Sequence, residues 1–177
     1  MHRSQEYKMK LELSELKYPK NALVPAMSEI SVGFHHDVLA KGYVDRFNSS
    51  QGDTEFNLAG AKLHGLLFEQ YKPYQDDNEI SGAVKDLILE NFAGLAEFKR
   101  IFLQKCLELQ GSGWVYLSKS GKIKKIKNHK NKDDVVFLID MWEHSWMMDY
   151  RTDKAGYVNN CWFIMDWDVV NKRIMAE

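Results

Sequence analysis

Five apolar residues in a row, VVFLI at 135–139, run straight into Asp140. An uninterrupted apolar run of this length reads as a buried strand, and a carboxylate at its end is costly to bury unless a cation or a metal ion compensates it. Any fold open to this chain must therefore bury the run and give Asp140 a partner. His144 follows four residues later. A chain that turns into a helix at Trp142 brings the strand-end carboxylate and a first-turn imidazole to one point.

Upstream, the texture is helical. Pro19 and Pro25 mark an extended lead-in, after which the spacing predicts a helix from Ala26 to about Phe47 on Met27, Ile30, Phe34, Val38 and Tyr43. FNSSQGDT supplies a turn, and a return helix is expected over about 55–71 with Leu63, Leu66 and Leu67 inward. SGAVKDLILENF and LAEFKRIFLQKCLELQ read as two more helices broken near Gly94. Beyond the GSG at 111–113, WVYLSKSGKIKKIKNH forms two strand-like runs reversing at Ser120 and Gly121, and with VVFLID they predict a small antiparallel sheet. The last 35 residues are aromatic-rich and mostly helical. The expected class is α+β: an N-terminal antiparallel helical hairpin over residues 1–75, packed on a C-terminal α/β domain over 76–177 with a three-stranded antiparallel sheet, and the metal site between them.

With 177 residues and 45% hydrophobic content, the chain can build its own core. A formal net charge of −1 gives no global bias toward nucleic acid or membrane, so neither is expected as a partner. Cys106 and Cys161 lack CxxC spacing and are read as reduced core thiols. MHRSQEYKMKLELSEL alternates charge with isolated apolar residues and holds no signal peptide or membrane span. The expected compartment is the cytoplasm, with organellar targeting left open.

Three of the six histidines, His35, His64 and His144, fall on apolar helical surface or beside the buried strand, where an imidazole needs a partner. Taken singly, each is more often a hydrogen-bonded core or surface residue than a ligand. With Asp140 they form a set of three imidazoles and one carboxylate that leaves room for a solvent ligand and suits iron, manganese or zinc.

Over nearly its whole length the chain resembles the iron/manganese superoxide dismutase family. KYPKNALVPAMSEISVGFHH is similar to that family's opening segment and first helix, FNLAGAKLHGLLF to its second-helix ligand segment, GSGWVYL to the start of its first strand, and DMWEH to its closing ligand motif. The resemblance implies that His35, His64, Asp140 and His144 hold one iron or manganese ion per subunit. It places Trp114, Trp142 and Phe68 or Tyr116 around the active site and Tyr43 at its gateway. It also implies a two-step redox cycle that converts superoxide to oxygen and hydrogen peroxide. His129 falls where the family has its outer-sphere glutamine or histidine, and Gly60 is what the family carries when that donor comes from the sheet. Glu143 matches a glutamate that reaches across a two-fold interface to the partner's metal-binding histidine, which implies a homodimer or a dimer of dimers. KLH and NH look most like archaeal-type iron or cambialistic members, so iron is favoured, with manganese close behind.

Three positions depart from the family pattern. Leu39 and Met147 replace a histidine and a tyrosine that hydrogen-bond across the interface, and Lys154 stands for an arginine near it. Their joint loss reads as packing in place of one hydrogen bond. It also supports an alternative in which a dismutase-like subunit keeps the fold and the metal but serves a structural or interaction role. A zinc hydrolase ranks third, since no free carboxylate or histidine is placed as a general base. The run KIKKIKNHKNK reads first as a solvated hairpin, second as an attractor of the superoxide anion, and last as a nucleic-acid site, for which it lacks interleaved aromatics.

Overall fold

Ser28 decides where the first long helix begins. Its hydroxyl accepts the backbone N–H of Ser31 at 3.1 Å, satisfying one of the donors that a helix start leaves open. In the computed structural model, which describes residues 10–176, the helix therefore starts at Glu29 and not at Ala26. The preceding lead-in holds a short 3₁₀ turn at Lys20–Leu23. The expectation of no signal peptide or membrane span falls partly on residues 1–9, outside the described residues. Among the described residues, no helix is long and apolar enough to cross a membrane.

The helix continues as α1 (Glu29–Gly33), a π-helical segment (Phe34–Ala40) and α2 (Lys41–Asn48). A turn leads to Asp53, whose carboxylate accepts the N–H of Phe56 at 2.9 Å and opens α3 (Thr54–Glu69). Leu63 and Leu67 are fully buried along it. The helices α4 (Ala83–Asn91) and α5 (Leu95–Leu107) follow, separated at Gly94 as the sequence predicts.

The strands β1 (Gly113–Ser118), β2 (Ile123–Lys127) and β3 (Val135–Asp140) form one antiparallel sheet in the order β2-β1-β3. Every residue of β1 and β3 is buried, which is why VVFLI is apolar at each position and does not alternate. Register pairs Trp114 with Asp140 on one side and with Ile126 on the other. The first hairpin turns at Gly121, which takes φ +72°, a value a side chain disfavours.

The chain ends in α6 (Glu143–Tyr150), α7 (Lys154–Cys161), a 3₁₀ turn (Trp162–Ile164) and α8 (Trp167–Met175). Phe98 and Phe102 of α5 meet Phe137 of β3 and Trp162 in an aromatic core, with Trp167 behind. Aromatic pairs in this geometry add to the area they bury.

Two polar side chains lock this core to α3. Gln70, fully buried, donates to the carbonyl of Leu138 at 2.6 Å and accepts its N–H at 3.2 Å, closing the free edge of β3. Arg173 of α8 donates to the Leu66 carbonyl at 2.7 Å, to Gln70 Oε1 at 3.2 Å and to Glu69 at 3.1 Å. It thereby caps the carbonyl end of α3 with a cation, the charge that end favours.

Candidate metal centre

Four elements each deliver one side chain to a single point. His35 comes from the π-helical segment, His64 from α3, Asp140 from the last position of β3 and His144 from the first turn of α6. Trp142 is the N-cap residue of α6, so strand end and helix start lie as the apolar run and the four-residue spacing predict. One ligand atom from each of the four falls within 4.8 Å of the others. Asp140 Oδ2 is the focus, at 3.2 Å from His35 Nε2, 3.2 Å from His144 Nε2 and 3.8 Å from His64 Nε2. The other oxygen, Oδ1, accepts the N–H of Trp142 at 2.8 Å, and this fixes the carboxylate plane.

The chemistry of the donors fits a metal ion. His64 Nδ1 faces the carbonyl of Gly60 at 2.7 Å, and since a carbonyl only accepts, Nδ1 carries the hydrogen and Nε2 keeps its lone pair. The Nε2 atoms of His35 and His64 are buried without a hydrogen-bond partner among the described residues. Burial pushes His64 down to about 3 and lowers His35 as well, the latter against the pull of Asp140. Burial alone would raise Asp140, yet the imidazoles of His144 and His35 hold it well below the usual carboxylate range. Neutral rings at His35 and His64 beside an ionised carboxylate are protonation states a bound cation requires.

The π-helical segment is what brings Tyr43 to the same cage. Eight residues of ordinary α-helix at roughly 100° each would leave Tyr43 about 80° around the axis from His35. The wider π turn reduces the rotation per residue, so the two side chains come close to alignment after two turns. Both then reach His64: His35 with ring centroids 5.0 Å apart, Tyr43 stacked at 5.2 Å. Gly60 makes this stacking possible, because a Cβ there would stand 2.7 Å from Tyr43 Cδ1.

A second layer surrounds the four ligand candidates. Trp114 packs edge-on to His64 at 5.1 Å, and its indole N–H donates to His129 Nδ1 at 3.1 Å. That bond makes Nδ1 of His129 the acceptor, so in the neutral ring the hydrogen sits on Nε2, which is buried without a partner among the described residues. Burial lowers His129 to about 4, so the ring is neutral at pH 7. His129 stacks on Trp142 at 4.6 Å and meets Tyr43 edge-on at 4.7 Å.

Of the two alternatives for one lining position, Phe68 packs on His35 at 5.1 Å, whereas the hydroxyl of Tyr116 donates to Asp134 at 3.1 Å. Glu143 is exposed at the start of α6. Lys154 lies over Trp146, 4.8 Å from the ring centroid. Within the basic hairpin, Lys124 pairs with Asp134 and Lys125 with Glu108.

Two residues at the site escape sequence reasoning. Phe56 packs against His129 at 4.7 Å, and Arg46 lies over Tyr43. The signal for Arg46 was its position one helical turn after Tyr43, and Phe56 had none beyond its place in the first turn of α3.

The chain has relatives among known proteins. Residues 80–173 match the profile of the iron/manganese superoxide dismutase C-terminal domain. The chain is 33% identical to an iron superoxide dismutase of Bacteroides fragilis, over 94% of this chain and all of that protein. It is 32% identical to a manganese/iron superoxide dismutase of Porphyromonas gingivalis, over 92% of this chain and 98% of the relative. An iron superoxide dismutase of the archaeon Saccharolobus solfataricus is 28% identical over 93% of both chains. The matched domain takes in Asp140 and His144, the full-length relatives extend the likeness across the helical hairpin, and the chain belongs to the iron/manganese superoxide dismutase family.

Proposed function

We infer that this chain disproportionates superoxide to oxygen and hydrogen peroxide with one iron or manganese ion, iron being favoured. The observation that carries the inference is the convergence of His35, His64, Asp140 and His144, with the Nε2 lone pair of His64 buried and unused by any group among the described residues. When bound, the ion supplies reversible one-electron exchange. The protein's own residues do the rest. The three imidazoles and the carboxylate hold the ion, and Phe68 and Trp114 pack against the imidazoles and keep water from their outer faces. We assign Tyr43 to the gateway, where its ring covers His64. We assign His129 as the donor to whatever small oxygen species enters, since Trp114 occupies its Nδ1 and leaves Nε2–H free.

The working unit in this reading is a homodimer, alone or as half of a dimer of dimers. Ile30, Phe34 and Val38 recur every fourth residue and are 77%, 41% and 55% exposed. Met147, at 47% exposure on the neighbouring helix, adds to the same set of uncovered apolar side chains. A second copy seated here would bury them. Leu39 and Met147 then pack where the family uses a polar pair, and Glu143 reaches the partner's metal-binding histidine. The free buried thiols Cys106 and Cys161 accord with a reducing compartment, and we place the protein in the cytoplasm. The same reading divides the chain near residue 75, with two ligands from each side.

The test is to load the full chain separately with iron and with manganese, measure bound metal, and follow superoxide consumption. Stoichiometric metal with catalytic consumption is expected. Metal-loaded protein without turnover would refute the enzymatic reading and favour a structural subunit.

A further inference from the structure

Among the described residues, Arg46 is held in place by neutral groups only. Its guanidinium carbon lies 4.7 Å from the centroid of the Tyr43 ring, and its Nε donates to Asn57 Oδ1 at 3.1 Å. Asn57 is itself buried and donates to the carbonyl of Gln51 at 2.8 Å, so the anchor is fixed by the turn between α2 and α3. Gly42 gives the guanidinium its space, since a Cβ there would stand 3.0 Å from one terminal nitrogen of Arg46.

The charge also has no ion-pair partner there. Among the described residues no carboxylate lies within ion-pair distance of Arg46, while Lys41 on the same helix is paired with Asp45. A guanidinium stays protonated at any working pH, and on a ring face it loses part of its hydration. Its field reaches two residues that touch the cage. At Tyr43 it works against the upward push of burial, and at His129 it adds to the downward push of burial. A fixed positive charge therefore stands one aromatic ring away from His64.

We propose that Arg46 is an anion-positioning residue of this site: clamped between Tyr43 and Asn57, it draws a small monovalent anion toward the cage and holds the Tyr43 ring over His64. This rests on superoxide being the substrate. Superoxide is such an anion, and a cleft charge of matching sign raises both encounter rate and local concentration. The terminal nitrogens of Arg46 are available to an incoming anion, because the one side-chain hydrogen bond it makes among the described residues uses Nε. Lys124 and Lys125 of the β1–β2 hairpin contribute less in this arrangement, being already paired with carboxylates.

The probe is sodium azide, a stable small anion, titrated optically into metal-loaded wild type, Arg46→Gln and Arg46→Lys at low and high salt. Arg46→Gln is expected to weaken azide roughly tenfold at low ionic strength. The gap should close to about twofold or less near ~0.5 M salt, where screening shortens the reach of the charge. Arg46→Lys should keep most of the affinity and the salt dependence. Wild-type azide affinity that ignores salt would overturn the proposal without any variant. So would an Arg46→Gln loss that persists at high salt and is not repaired by lysine, since packing alone would then explain it. Dismutase turnover of the wild type is measured separately, so failure of the substrate assignment and failure of the Arg46 assignment give different results.

Discussion

The Cβ that Gly60 lacks would lie 2.7 Å from Cδ1 of Tyr43, so the helix carrying His64 and the ring that covers it are matched through one missing carbon. The same glycine's carbonyl accepts the Nδ1–H of His64 and sets which nitrogen faces the cage. Gly60→Ala is therefore expected to push the phenol off His64. Overpacking of this kind costs about 1–3 kcal/mol. A lower urea midpoint together with reduced turnover at unchanged metal content is the expected result, and a variant as stable and active as wild type would contradict it.

Trp114 governs His129 through a single hydrogen bond of 3.1 Å. Trp114→Phe removes the donor while keeping most of the ring, and it frees the imidazole of His129 to place its hydrogen on either nitrogen. Loss of a partner that orients a group near a metal typically costs about 10- to 100-fold in activity. Turnover should drop in that range with metal content intact, read by paired metal analysis and superoxide assay.

Acid should weaken the metal-free protein well before its carboxylates titrate. His64 falls to about 3 and His129 to about 4 in the folded state, from 6.5 in an unfolded chain. Above about pH 6.5 both rings are neutral in either state and their contribution is complete. As pH falls below that, the unfolded chain takes up protons first, and stability declines by up to ~1.4 kcal/mol per pH unit for each ring. The decline levels off below the folded values. Urea unfolding of the apoprotein at pH 7, 6 and 5 measures the slope. A flat profile would contradict neutral burial of these imidazoles.

Asp140 faces three imidazoles with one oxygen, so its charge is what holds a cation among them. Asp140→Asn is expected to lose tight metal binding. It should also abolish the rise in melting temperature that iron or manganese gives the wild type, an effect worth about 2.7 kcal/mol at a hundredfold excess over Kd. Calorimetry with and without metal checks both parts.

The apolar stripe offers a separate test of assembly. Val38→Asp places a charge on the stripe, at a position 55% exposed, and should shift the protein to monomers in sedimentation velocity. An unchanged dimer would move the interface elsewhere.

The strand end at Asp140 and the helix start at Trp142 were legible because burial forces a continuous apolar run to end where the chain becomes polar. The sheet, the break at Gly94 and the hairpin turns were legible for the same local reason. Periodicity put Tyr43 on the first helix, but only the resemblance put it at the site, since a regular helix would turn it away from His35, and no pattern in FHHDVLA announces the wider π turn. The start of the first helix was displaced because Ser28, three residues before Ser31, is a better cap than any residue around Ala26. The contacts of His129 with Trp114 and of Arg46 with Asn57 join separate elements, and spacing along the chain does not encode them.

Arg173 touches the carbonyl of Leu66, two positions beyond His64, across 107 residues of chain. A polypeptide still emerging from the ribosome has made the helices of His35 and His64 long before it releases the brace that steadies the second of them. The bracing of the helix that carries His64 thus waits on almost the last residues to be made.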